Sequence, residues 1–370
     1  MRSSFHLGSL FGVKIGLHYS WFLIAILIVF SLLQQFRLEN PAWNQSMVVA
    51  LAIATAVLFF ASLLAHELSH ALVARAKGIE TREITLFALG GVANIEKNAT
   101  SASHEFLIAI VGPFASLCIS ALCLLTRLLT SQGSGFHAML SWLAYINLAL
   151  GLFNLLPAFP LDGGRILRAL LWWRSGNSES STQTAARIGQ LTGFAFIALG
   201  IFQFFGGAGF GGLWIAFIGW FLLQAAGASY LEVGLSRALQ GITVADAMIT
   251  DCLSVDGGMN VQRFVDEILL RNGRRCIAVV DENGFAGLVT PNEVKHLERS
   301  RWSITKLSEI MRPLGEVRTV EPGTPLKTAL EIMSKMDLNQ LPVVIRGTLA
   351  GIVSRAEVLS MLQTRMQLQT

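Results

Sequence analysis

The chain has 370 residues, of which 53% are hydrophobic and 14% charged, with a formal net charge of +4. An average soluble domain is about 25% charged, so one ordinary soluble domain is excluded. No dense basic run or zinc-knuckle spacing occurs, which argues against a nucleic-acid partner.

Residues 1–235 hold long apolar runs, and 241–370 carry charges throughout. This split predicts a membrane domain followed by a soluble one. A bilayer span needs about 20 apolar residues. Residues 15–36 contain no formal charge, only His18, and lack a convincing cleavage site, so they read as a signal anchor and first span. Residues 45–65 are charge-free and run straight into HELSH at 66–70. Within the segment 82–98, EITLFALGG alternates up to the glycine pair Gly90 and Gly91, and the chain continues as VANI. It predicts a short hairpin or sheet whose exposed edge can pair with an extended peptide, against the alternative of a plain cytoplasmic loop.

Residues 106–126 form a third apolar run, in which Gly112 and Pro113 predict a kink or the close approach of another helix. Residues 136–160 form a fourth. Residues 188–230 are charge-free and too long for one helix, and the glycine-rich FFGGAGFGG at 204–212 divides them in two. Six spans result. Lys and Arg concentrate before span one, after span two and after span four, while residues 37–44 and 127–135 hold one each. The positive-inside rule then places both termini and the soluble part in the cytoplasm.

HELSH sets His66 and His70 four residues apart, on one face of a helix, with Glu67 beside them. That pattern suits two zinc ligands and a general base acting on the metal's water. Burying such a trio in an apolar span costs several kcal/mol unless the groups are paired or ligated. A catalytic zinc needs a third protein ligand and one open position. NLLPAFPLDGGR at 154–165 offers Asp162 directly after a span, where Pro157 and Pro160 break the helix and Gly163 and Gly164 permit close approach. The alternative for Asp162 is a turn or cap residue at the membrane surface. Asn154 is a candidate donor to a substrate carbonyl, or a helix–helix hydrogen bond. Asn147 leans toward packing. His18, His104 and His137 read as interfacial residues, and the four cysteines, Cys118, Cys123, Cys252 and Cys276, as reduced packing residues with no C-x-x-C pattern.

HELSH in span two, the Gly-Gly hairpin after it and NLLPAFPLDGG after span four resemble the site-2 protease family of intramembrane zinc metalloproteases (peptidase family M50), over about residues 8–230. The resemblance implies one catalytic Zn2+ on His66, His70 and Asp162, Glu67 as catalytic base, and substrate contact at Asn154. It also implies regulated intramembrane proteolysis of single-span regulators such as anti-sigma factors. The Gly-Pro segment of span three usually continues to an asparagine, but Ser116 stands near that position, which predicts a weaker polar contact or none.

Residues 243–294 and 306–358 repeat one pattern of amphipathic opening, strand, helix and strand-turn-strand. The turns fall at Asp281–Gly284 and at Arg346 and Gly347. The repeat resembles a tandem pair of cystathionine-β-synthase (CBS) domains. The expected organisation is a membrane protease domain at 1–235 and α/β CBS modules at 241–300 and 306–370. CBS pairs commonly bind adenine nucleotides, which makes Thr290, Glu293, Ser354 and Glu357 cleft candidates. Glutamate replaces the usual ribose-binding aspartate in both modules, and Cys276 stands where proline is common. The alternative is a dimerisation module without ligand. A CBS-regulated transporter would spread polar residues over several spans, and a dead scaffold would lack some of the zinc and base residues. Neither pattern is seen.

Overall fold

The computed structural model describes residues 4–368, except 80, 88, 89, 96–98, 252, 273–276, 283 and 347. Cys252, Cys276 and Gly347 lie outside the described residues. The chain divides into two compact units, Met1–Val233 and Gly234–Thr370.

In the first unit, strands β1 (Phe5–Leu10) and β2 (Val13–Leu17) precede helices α1 (Ser20–Glu39) and α2 (Gln45–Ala76). Strands β3 (Thr81–Phe87) and β4 (Gly90–Ile95) follow, then α3 (Ala102–Arg127), α4 (Gly135–Asn154), α5 (Asp162–Ser175), α6 (Ser178–Gln203) and α7 (Phe210–Ala238). Among the described residues, six helices are long and apolar enough to cross a membrane: α1 to α4, α6 and α7. Their outward faces carry bare leucine, isoleucine and phenylalanine, including Leu23, Ile26, Phe30, Leu122 and Leu125. A surface of that kind is stable against lipid and not against water. The chain is a multi-pass membrane protein.

Two sequence expectations shift. The first span begins at Ser20 rather than residue 15, because Val13, Ile15 and Leu17 alternate and pair as a strand. The expected hairpin is half of a four-stranded sheet of order β1-β2-β3-β4, with β2 and β3 parallel and the other pairs antiparallel. Val13, Leu17, Ile84 and Leu86 of this sheet pack on Leu63 and Ala71 of α2, the turns on either side of HELSH. Each such buried aliphatic side chain contributes about 1.5–3 kcal/mol, enough to fix the sheet to that part of the helix.

Helix α2 begins at Asn44, whose side chain accepts from the Met47 amide at 2.7 Å. It ends at Gly78, whose φ of 76° is the left-handed conformation that closes helices. Between α6 and α7 the glycine-rich stretch reverses the chain, with Gly207 at φ 97° and Gly209 at φ 55°.

The second unit contains strands β5 (Ser254–Asp256), β6 (Ile277–Asp281), β7 (Gly284–Val289), β8 (Arg312–Pro313), β9 (Gln340–Ile345) and β10 (Thr348–Ser354). The duplication read in the sequence appears as exchanged pairing. Gly287 and Leu288 of β7 pair with the opening of the second repeat at Pro313 and Arg312, and Ile249 from the opening of the first pairs with Ile352 of β10. Each repeat has its own core, one around Phe264 and Ile277 and the other around Leu326, Met333 and Leu341.

Candidate active site

Four elements meet around HELSH. Helix α2 supplies His66 and His70, both buried, and Glu67, half-buried. The first turn of α5 supplies Asp162. Strand β4 reaches Glu67, and α3 lies behind the two imidazoles.

His66 Nε2 lies 3.3 Å from Asp162 Oδ2, His70 Nε2 lies 3.2 Å from the same oxygen, and the two Nε2 atoms are 3.3 Å apart. A tetrahedral zinc with bonds of about 2.0–2.1 Å sets its ligand atoms about 3.3–3.4 Å from one another. The three donors thus already stand at three corners of a zinc tetrahedron. Among the described residues no other His, Cys, Asp and Glu group forms such a cluster.

The far side of each imidazole fixes what the near side presents. His70 Nδ1 lies 2.6 Å from the Ile108 carbonyl oxygen, which can only accept. Nδ1 therefore carries the proton, and Nε2 turns a lone pair toward Asp162 and His66. His66 Nδ1 lies 2.9 Å from the Ser116 hydroxyl, which anchors that ring and can serve either Nδ1 tautomer. In the neutral Nδ1–H form of both rings, two nitrogen lone pairs and a carboxylate oxygen converge within 3.3 Å, an arrangement that a cation among them stabilises. The donor set fits a single Zn2+.

Glycines clear the space. A Cβ on Gly112 would lie 2.1 Å from His70 Nε2 and 2.8 Å from His66 Nε2, so this position of α3 keeps the donor face open. A Cβ on Gly91 would lie 2.4 Å from Glu67 Cγ and 2.8 Å from its Oε1. Gly163 fits where a Cβ would meet the Leu156 carbonyl oxygen at 2.2 Å, which lets the first turn of α5 press on the 155–159 backbone and carry Asp162 inward. Asp162 thus opens an amphipathic helix that the sequence reading did not foresee.

Asn154 ends α4, half-buried, and its side chain has no hydrogen-bond partner among the described residues. Asn147 is fully buried and donates to the Leu143 carbonyl at 2.9 Å, within its own helix. His18, His104 and His137 lie outside the cluster, each beside a nearby hydroxyl, of Ser20, Thr100 and Thr130. Ser116 makes the polar contact that its substitution for asparagine had put in question. Glu105, which the sequence reading passed over, is buried against Arg165 and Arg168. The signal was a lone acid at the margin of an apolar span. The Ile108 carbonyl had no signal at all.

In the CBS repeats, Glu293 Oε2 accepts from the Thr290 amide at 2.9 Å and from the Thr290 hydroxyl, and Oε1 accepts from Arg312 Nε at 2.7 Å. Burial pushes this carboxyl up, but these donors outweigh it and hold it below the usual carboxylate range. Ser354 Oγ accepts from the Glu357 amide at 3.3 Å. Glu357 also lines a cleft of about 480 Å³ with Asp246, Met248, Ala356 and Ser360.

A His-His-Asp donor set, built on the membrane-spanning α2 and the start of α5, defines an intramembrane metalloprotease centre. Comparison with known proteins agrees. The pattern of peptidase family M50 matches residues 54–133 and 129–200, and that of the CBS domain matches 244–298 and 307–364. Rip3 of Mycobacterium tuberculosis is 36% identical over 97% of this chain and 92% of that protein. The sll0528 protein of Synechocystis is 33% identical over 98% and 97%. Both names contain the words zinc metalloprotease. The solved site-2 protease of Methanocaldococcus jannaschii is 28% identical, covering 61% of this chain and 94% of that one, with a TM-score of 0.42. The chain belongs to the site-2 protease family, peptidase family M50, and carries a C-terminal CBS pair.

Proposed function

We propose that the chain cuts a peptide bond in the membrane segment of a single-span regulator, such as an anti-sigma factor, with Glu67 as general base. The observation that carries this reading is the contact between Gly91 on β4 and Glu67. Among the described residues β4 pairs only with β3, so its outer edge is open. An extended substrate segment joining that edge at Gly90 and Gly91 has its backbone groups satisfied and its scissile bond beside Glu67.

His66, His70 and Asp162 would hold the zinc, which would supply the Lewis acidity that brings the pKa of a water molecule near neutrality. Glu67 takes a proton from the attacking water and delivers it to the amide nitrogen of the departing strand. The unpartnered Asn154 donates from Nδ2 to the substrate carbonyl oxygen. The distribution of Lys and Arg supports cytoplasmic termini, with the protease part at 1–235 and the CBS modules at 241–300 and 306–370. Those modules are proposed to pair two copies of the chain. Adenine nucleotide at Thr290, Glu293, Ser354 and Glu357 is a second role, favoured only at the cleft that Glu357 lines.

The test compares cells carrying wild-type enzyme with cells carrying Glu67→Gln. The variant should accumulate an intact single-span protein that wild type converts to fragments. Fragments formed at the wild-type rate by Glu67→Gln would remove Glu67 as the base.

A further inference from the structure

One face of α3 runs through Glu105, Ile108, Gly112 and Ser116, spaced by three or four residues. Three of these touch the histidines directly: the Ile108 carbonyl holds His70, the Ser116 hydroxyl holds His66, and Gly112 leaves the donor face open. The fourth touches neither. Glu105 is 2% exposed, and its two oxygens are divided between two guanidinium groups. Arg165 Nε donates to Oε1 at 3.1 Å, and Arg168 Nη2 donates to Oε2 at 3.3 Å.

Arg165 and Arg168 follow Asp162 at three and six residues on α5. A carboxylate this buried persists only when it is paired, so Glu105 constrains where those arginines sit. The constraint passes to Asp162 because α5 is a continuous helix from residue 162. No side chain caps its first turn, since Leu161 occupies the cap position. The loop before it is held by backbone hydrogen bonds, from Leu161 to the Ala158 carbonyl at 2.9 Å and from Gly164 to the Leu161 carbonyl at 3.0 Å, and by Phe159, which packs on Leu167, Ala185 and Ala226. These contacts are backbone or apolar, and the ion-paired carboxylate on α3 adds a charged side-chain tie to α5.

We propose that Glu105 is a positioning residue for the third metal ligand, acting through Arg165 and Arg168 to fix the first turn of α5 and with it Asp162. Helix α3 then sets all three donors, two through the outer nitrogens of the imidazoles and the third through an ion pair. The inference rests on Asp162 being that ligand.

The experiment is a double-mutant cycle on the full-length protein in detergent. It measures zinc dissociation into a chromophoric chelator and the visible spectrum of the Co2+-substituted form. Glu105→Gln should release zinc about 10- to 100-fold faster, the range for partners that orient metal ligands, and should alter the Co2+ bands. Added to Asp162→Asn, it should change the release rate no further, because its only route to the metal is then gone. Glu105→Asp, which keeps the charge, should recover part of the loss. Arg168→Lys enters the same cycle if Glu105→Gln does not fold, with the same non-additivity expected. Unchanged release and spectrum in Glu105→Gln, or effects that add to those of Asp162→Asn, would overturn the inference while leaving the ligand assignment standing. Wild-type zinc retention in Asp162→Asn would instead overturn the assignment itself.

Discussion

The HELSH cluster and Glu293 of the CBS pair both place a carboxylate beside fixed hydrogen-bond partners, but they end in opposite states. In the membrane unit, His66 Nε2, His70 Nε2 and Asp162 Oδ2 converge on one point, and Ser116 and the Ile108 carbonyl anchor the two imidazoles from behind. In the CBS repeat, Glu293 spends its oxygens on Thr290 and Arg312. A donor set that converges on one point, with its imidazoles anchored from behind, is built to receive a cation. A carboxylate whose partners lie in front of it is built to hold its own fold. The contrast separates a site from a structural ion pair without reference to residue type.

The sharpest way to break the contrast is to fill the open face. Gly112→Ala puts a methyl 2.1 Å from His70 Nε2, and we expect zinc content near zero and complete loss of proteolysis. Gly211→Ala is the matched control, since nothing lies within 4 Å of its added Cβ, and zinc and activity should be unchanged. Full zinc in Gly112→Ala would show that the donor face is not where the cation sits.

Gly91→Ala acts one step away. Its methyl displaces Glu67 rather than a ligand, so turnover should fall about 100-fold, as for a misplacement of about 1 Å, with zinc retained. Parallel loss of zinc and turnover would mean that β4 shapes the metal site instead of the base. A smaller effect belongs to Ser116→Ala, which frees His66 Nδ1 and should weaken zinc about 10-fold, measured by competition with a chelator.

The smallest effect is in the soluble unit. Glu293 is held below its ordinary range, so its contribution is present above the unfolded carboxylate pKa of about 4.3 and lost as pH falls through the lower folded value. Glu293→Gln should cost about 1 kcal/mol at pH 7. The gap from wild type should close in acid denaturation profiles below about pH 4. A gap that persists there would assign the loss to packing.

Much of this was legible in the sequence, for identifiable reasons. Span positions follow from length and charge, because the bilayer imposes both, and HELSH places two imidazoles on one helical face by spacing alone. Asp162 was readable because proline and glycine mark an interrupted helix. Strands β1 and β2 were not, since Ile15 and Leu17 extend an apolar run and period two is hidden inside it. Helix α5 was missed because its start, at Asp162 and two glycines, has the composition of a turn. The role of Ile108 was invisible in principle: the contact is made by a backbone carbonyl, which every residue possesses.

The central claim is that one cation is held jointly by a membrane-spanning helix and a shorter one, the histidines of α2 and the aspartate that opens α5. Elemental analysis of purified full-length protein tests it most directly, with wild type, Glu67→Gln and Asp162→Asn measured side by side after dialysis against a mild chelator. The account predicts one zinc per chain in the wild type and in Glu67→Gln, and well under half of that in Asp162→Asn. One zinc per chain in all three would contradict it.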